Sequence, residues 1–329
     1  MKYKITSTLL FAVASSVILA ACSATSGSGA AYPSKTLTIL APANPGGGWD
    51  QTSRLIQKTL TEEKIVNQTV EVVNKGGAAG TIGLAEFVTK NKADSHTIMT
   101  MGGVMVGGIH LNKSQVTLKE VVPIARLTSE FSVVAVPANS KYQTLKQLMD
   151  DYKANPKSIS WGGGSAGGTD HVMIGLLSKA VGIEGSNINY VAYAGGGEAV
   201  AAVIGGQVTA GVSGYGEWAE QVKAGKMRFL AVSSPQKIAG DNTPTIKEAG
   251  YDVTISNWRG VVAAPGVDAN TQKAIIDMIT KMRESKTWKD NLSKNKWTDV
   301  FMTGSEFGKF IESEDKVYQD TLKAIGVLK

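Results

Sequence analysis

The residues of this 329-residue chain that could do chemistry gather at glycine-rich turns. Six short apolar segments each run into such a turn, and most then enter a stretch with helical spacing. The turns are Pro45-Gly46-Gly47-Gly48-Trp49-Asp50, Gly76-Gly77-Ala78-Ala79-Gly80-Thr81, Gly102-Gly103, residues 162–170, Gly195-Gly196-Gly197 and residues 211–216. Strand, glycine turn and helix start together point free backbone N–H groups at one place, and the helix dipole favours an anion there. None of the six ends in the Gly-Lys-Ser/Thr of a phosphate-binding loop, so the usual nucleotide signature is missing. The pattern suits capture of a small anion by backbone amides.

Covalent and metal chemistry fare worse. Gly163-Gly164-Ser165-Ala166-Gly167 satisfies the G-x-S-x-G pattern of a hydrolase nucleophile, whose acid and histidine should follow downstream. The only later histidine is His171, six residues on in the same helix start, so no triad of that order can be assembled and the hydrolase reading is set aside. His96, His110 and His171 lack metal-ligand spacing, and Cys22 is the sole cysteine. No enzyme activity, cofactor or metal is expected.

The side chains in and near the turns keep alternative roles. Asp50 and Asp170 fall where N-caps or first-turn residues belong, and either caps its helix. Asp170 could instead face a ligand hydroxyl or an ordered water. Ser165, Thr169 and Ser213 are side-chain donors or turn formers, and Trp49, Tyr193, Tyr215 and Trp258 are candidate cleft walls. Arg259 either pairs bidentately with a ligand carboxylate or bridges to a surface acid, the bridge being the expected role.

These turns need elements to hold them. Strands are predicted at residues 35–41, 69–74, 96–101, 132–137, 158–161, 189–192, 208–212 and 227–233, with a helix over 144–153. Alternating strands and helices predict parallel sheets with helices on both faces, and ligands at the carboxyl ends of the strands. Residues 133–137 and 258–265 read as two crossover strands between two lobes, one of 32–134 plus 260–329 and one of 135–259. Ile275, Ile276, Ile279 and Met282 lie at helical spacing in a segment expected to return to the first lobe.

The start of the chain reads as an export signal over 1–21, with Lys2 and Lys4 before an apolar run at 9–21. It ends in Leu19-Ala20-Ala21-Cys22, which resembles the bacterial lipobox, so Cys22 is the expected lipidation site. Residues 22–31 have the composition of a flexible tether. Removing the two signal lysines lowers the formal charge from +6 to +4, and no basic stripe with interleaved aromatics suggests nucleic acid. An extracytoplasmic, lipid-anchored protein is expected, on the periplasmic side or the outer face of a bacterial membrane.

Several segments together resemble the substrate-binding proteins of tripartite tricarboxylate transporters (Bug/TctC-like). They are Tyr32-Pro33-Ser34-Lys35, Pro45 through Asp50, Gly77-Ala78-Ala79-Gly80-Thr81-Ile82-Gly83, Gly164 through His171, Tyr193 through Ala199, Gly205-Gly206-Gln207-Val208, Ala210 through Glu217 and Asn257-Trp258-Arg259-Gly260. The resemblance covers nearly all of the chain after the signal, in order. It implies a bilobal α/β periplasmic-binding-protein fold (Venus flytrap, type II-like) with two crossover strands. It also implies delivery of a carboxylate to a permease of one small and one large integral subunit. By that resemblance the first-lobe grip is Gly46, Gly47, Gly48, Trp49 and Asp50 with Ala78, Gly80 and Thr81. The second is Ser165, Gly167, Gly168, Thr169, Asp170 and His171, and Tyr193, Gly195, Ser213 and Tyr215 complete the expected ligand-binding set. Many members have Thr or Ser where this chain has Trp49, and an aromatic there resembles the tricarboxylate-type branch. Two separated grips suit a dicarboxylate, or a tricarboxylate such as citrate. A tethered binder that feeds a sensor or partner protein without transport is the alternative.

Overall fold

The computed structural model describes residues 32–193 and 196–328. The expected signal, Cys22, the tether and Gly195 lie outside the described residues.

The first half of the chain runs β1 (Leu37–Ala41), α1 (Gly48–Glu62), β2 (Val70–Asn74), α2 (Thr81–Lys90), β3 (Thr97–Gly102), α3 (Gly103–Leu111), β4 (Val122–Pro137), α4 (Leu145–Ala154) and β5 (Ser160–Gly163). It continues through α5 (Thr169–Ala180), β6 (Asn189–Ala192), α6 (Gly196–Ile204), β7 (Ala210–Gly214), α7 (Tyr215–Lys223) and β8 (Met227–Val232). Then follow β9 (Ser256–Ala263), α8 (Ala269–Glu284), α9 (Lys286–Asn295), β10 (Thr298–Thr303) and α10 (Gly304–Ala324). Local chemistry sets several of these boundaries. Thr144 and Gln147 form a reciprocal capping box at α4, Asp268 caps α8 and Ser285 caps α9. The glycine-led helices α1 and α5 have no side-chain cap, so their first amides are left for another acceptor.

Two ladders share β4. Its first part pairs antiparallel with β9 and β10, and its second part, from Ser132, pairs antiparallel with β7 and β8. On one side β2, β1 and β3 are parallel neighbours with β9 beside β3; on the other, β7, β5 and β6 are parallel neighbours. The sheets are therefore mixed, not wholly parallel as the rhythm of elements predicted. The reversed strand of the first sheet is β9, while β4 runs with the βα strands of the first sheet and against those of the second. β4 changes sheets at Phe131/Ser132, and the chain returns through Ile255, whose N–H donates to Ser233 O at 3.3 Å before β9 begins.

Helices cover both faces of each sheet, so short strands such as β1 are buried on both sides and read as apolar runs. Ile56 and Leu60 of α1 share one core with Ile275, Ile279 and Met282 of α8, which returns to the first sheet as its spacing predicted. The opposite face holds Trp49, Phe87, Met105, Trp258 and Phe307. On the second sheet Tyr152, Trp161 and Leu177 fill one side, and Val203, Tyr215 and Trp218 the other. Among the described residues no helix is long and apolar enough to cross a membrane.

Candidate functional site

Three glycine turns lie at the carboxyl ends of β1, β2 and β5; the first packs on the second through Trp49, and the second and third both pack on α3. In the first, Asp50 works inward. Its carboxylate accepts from the Gly46 N–H at 2.8 Å, from Arg54 Nε at 3.0 Å and from Asn74 Nδ2 at 2.9 Å. Burial alone would raise this carboxyl, and those three donors outweigh it and hold it below the usual range. The Gly47 N–H is also taken, by Asn44 O at 3.1 Å. The N–H groups of Gly48, Trp49 and Asp50 open the 15-residue α1 and have no partner among the described residues. Five of the expected residues thus divide into a self-closing loop and three unpaired amides at a helix start.

The second turn is set by backbone conformation. Gly77, Ala78, Ala79 and Gly80 all have positive φ, at 123°, 48°, 53° and 87°. Gly80 is obligatory, because a Cβ there would stand 2.7 Å from the Trp49 ring. The Gly80 N–H donates to Gly77 O and the Thr81 hydroxyl to Ala78 O, while the Ala78 and Ala79 amides have no partner among the described residues. Trp49 itself is only 8% exposed and packs in the core beside Met105 and Gly80, wedging the first turn against the second.

The third turn repeats the scheme with other partners. Asp170 accepts from the Gly164 N–H at 3.0 Å, His171 Nδ1 from the Gly167 N–H at 3.1 Å, and Ser165 O from the Gly168 N–H at 2.9 Å. Thr169 shares a buried hydroxyl pair with Tyr318 of α10 at 3.0 Å. The turn sits directly on α3, since a Cβ on Gly107 would come 1.8 Å from Gly167 O. His171 stacks on Tyr190 with centroids 4.2 Å apart, and burial pushes its imidazole down to about 4, so it stays neutral. Ser165 alone keeps a half-buried hydroxyl with no partner among the described residues.

The remaining expected residues scatter. Tyr215 is buried against Phe229 and donates its hydroxyl to Asp241 at 2.6 Å. Tyr193 anchors through its N–H to Gly163 O, and Ser213 donates to Glu217 at 2.7 Å. Trp258 is fully buried between Phe307 and Phe310, and its indole donates to Glu314.

A buried charge cluster lies where β4 changes sheets, and sequence reasoning missed most of it. Arg259 does form a bridge, but to an interior acid: its Nη2 stands 3.1 Å from Glu130, with side chains 4% and 3% exposed. Glu130 also accepts from the Gly216 N–H at the start of α7. Burial, reinforced by Glu217 and Glu130 and opposed by the Gly164 N–H, pushes Asp170 up to about 7. Burial raises Glu130 as well, with Arg259 opposing. The available signal was a lone Glu130 between the polar Ser129 and the apolar Phe131 ahead of a strand; for Tyr318 the sequence carries none.

A glycine-led helix start with free amides, at the carboxyl ends of the strands, is a place where a small anion can be held. Residues 53–327 match the family described as the tripartite tricarboxylate transporter family receptor. The chain belongs to this family. Protein BugT of Bordetella pertussis is 27% identical over 301 residues, which cover 90% of each chain. A solved periplasmic transporter is 26% identical with a TM-score of 0.79, covering 91% of this chain and 99% of that one. An R. palustris protein solved with adipate is 20% identical with a TM-score of 0.80, covering 90% of this chain and 99% of that one. The receptor therefore has the α/β periplasmic-binding-protein fold, and its family role is to bind solute for transport, not to transform it. Among the described residues no group of three His, Cys, Asp or Glu is arranged to hold a metal ion.

Proposed function

We propose that this receptor captures a di- or tricarboxylate between two lobes and delivers it to a permease of one small and one large integral subunit. The lobes on this reading are 32–134 plus 260–329 and 135–259, joined where β4 and the segment before β9 cross. Export by residues 1–21 and lipidation of Cys22 hold the receptor at the outer side of a membrane. The observation that carries the reading is the start of α1, where the N–H groups of Gly48, Trp49 and Asp50 have no partner among the described residues, in a turn that Trp49 packs against the one holding the equally unpartnered Ala78 and Ala79 amides. Charge-assisted bonds from such amides, aided by the helix dipole, hold a carboxylate at its first grip. The unpaired Ser165 hydroxyl and the α5 amides supply the second grip on the other lobe. The similar fold of the adipate-bound R. palustris protein supports a ligand with two carboxylates.

The test is thermal unfolding of ligand-stripped receptor against mono-, di- and tricarboxylates. A ligand at a hundred times its Kd adds about 2.7 kcal/mol, which moves the midpoint by several degrees. Stabilisation confined to di- or tricarboxylates is the expected result; no stabilisation by any carboxylate refutes the proposal. Cys22→Ser should release the receptor from membranes, and retention would remove the anchor.

A further inference from the structure

We propose that Arg259 is a ligand-contacting residue that makes the first grip select a charged carboxylate, with Glu130 as its built-in counter-ion. The inference rests on the carboxylate-receptor reading above.

Arg259 lies near the start of β9, paired in register with Gly102 of β3 and Thr128 of β4, at the end of the sheet where α1 begins. Its guanidinium lies against Gly48, the first residue of α1. A Cβ on Gly48 would come 2.9 Å from Nη2, 3.3 Å from Cζ and 3.4 Å from Nε. The Trp297 ring covers the guanidinium as well, 4.6 Å from Cζ. The group is thus held between the Trp297 ring and the first residue of α1, whose N–H has no partner among the described residues.

Only one arm of the fork is used. Nη2 donates to Glu130, whereas Nη1 is buried and has no hydrogen-bond partner among the described residues. A buried guanidinium with an idle arm is rare, because each unmade bond to a charged donor is costly. Its position adds a second strain, since a cation beside a helix N-terminus meets the positive end of the dipole. An anion at the start of α1 relieves both. Glu130 does so in part, but its other oxygen is committed to the Gly216 N–H, and it faces the carboxylates of Glu217 and Asp170. A ligand carboxylate that accepts from Nη1 and from the α1 amides completes the fork.

This assigns different tasks to the two kinds of donor. Backbone N–H groups donate to any oxygen, including that of a neutral amide or acid. The guanidinium is what separates a carboxylate from its uncharged isostere. Glu130 competes for the same cation and so tempers the affinity.

The experiment is calorimetric titration of the full-length protein in detergent with succinate, adipate and citrate, each beside the compound in which one carboxylate is replaced by a carboxamide. The double variant Arg259→Gln/Glu130→Gln removes the buried pair together, leaving no orphan charge. It should keep its cooperative melt and lose about tenfold or more of the carboxylate-over-carboxamide preference, the worth of one charged hydrogen bond. Glu130→Gln alone should strengthen carboxylate binding severalfold. Gly48→Ala displaces the guanidinium while keeping the amide, and should erode the preference in a receptor with Arg259 intact. If the double variant does not fold, the Gly48→Ala result decides. An unchanged preference in a folded variant overturns the assignment of Arg259 and leaves the carboxylate reading standing. Binding of none of the probes by the wild-type protein removes that reading, and this inference with it.

Discussion

Asp170→Asn should stabilise the ligand-stripped receptor, and by an amount that grows with pH. The Asp170 carboxyl titrates near 7 in the fold, because burial and the nearby Glu217 and Glu130 outweigh its bond from the Gly164 N–H. Unfolded, it titrates near 3.9. The folded state therefore binds the proton more tightly, so the carboxyl carries no penalty below about pH 4. As pH rises from there to 7, stability falls by about 1.4 kcal/mol per pH unit. Above pH 7 the loss levels at about 4 kcal/mol, an order-of-magnitude ceiling. Asparagine still accepts from Gly164 and cannot ionise, so this loss disappears. Between pH 5 and pH 8 the variant should gain about 3 kcal/mol over wild type, worth about 5 °C or more in midpoint. Thermal melts of both proteins at the two pH values give the answer. An identical offset at pH 5 and pH 8 would show that Asp170 is ionised freely, and would refute the buried-cluster argument. A confirmed gain would mark Asp170 as a residue kept at the expense of stability, as happens where function requires it.

Gly80→Ala combines a φ of 87° with a contact of 2.7 Å to the Trp49 ring. It should cost about 3 kcal/mol in urea unfolding, and a loss under 1 kcal/mol would show that the two turns are not wedged by Trp49. Gly107→Ala meets Gly167 O at 1.8 Å, so α3 and the third turn must separate. X-ray scattering should show an expanded particle and titration a weaker ligand; an unchanged profile would contradict the packing. Tyr318→Phe deprives the buried Thr169 hydroxyl of its partner and should cost about 1–2 kcal/mol by urea melts.

Much of the scaffold was legible because burial on both faces writes strands as apolar runs. β1, β2, β3, β6 and β8 fall within a few residues of their predicted spans. The first part of β4 was not, since Arg126, Thr128, Ser129 and Glu130 interrupt its apolar pattern and two register shifts break its alternation. β10 was missed for a different reason: it is half-exposed, so no face of it is marked as apolar. The glycine turns announced the helix starts, but glycine content does not reveal which amides are already spent. The loops around Asp50 and His171 consume the Gly46, Gly47, Gly167 and Gly168 N–H groups, and leave those of the helix starts. Partnerships across the fold were beyond reach. Arg259 and Glu130 stand 129 residues apart, and nothing near Arg259 indicates that its acid is interior.

The shared strand also dictates an order of assembly. The second part of β4 finds its partners β7 and β8 within the next hundred or so residues of chain, all complete by Val232. The first part pairs only with β9 and β10, which begin at Ser256 and Thr298, and β3 waits for β9 as well. As the polypeptide emerges from its N-terminus, the sheet that contains the earliest residues is thus the last to close. The chain must be delivered through β9, which ends at Ala263 of the 329 residues, before Gly48 can rest on Arg259, so on the proposed reading a product arrested earlier has no first grip to offer.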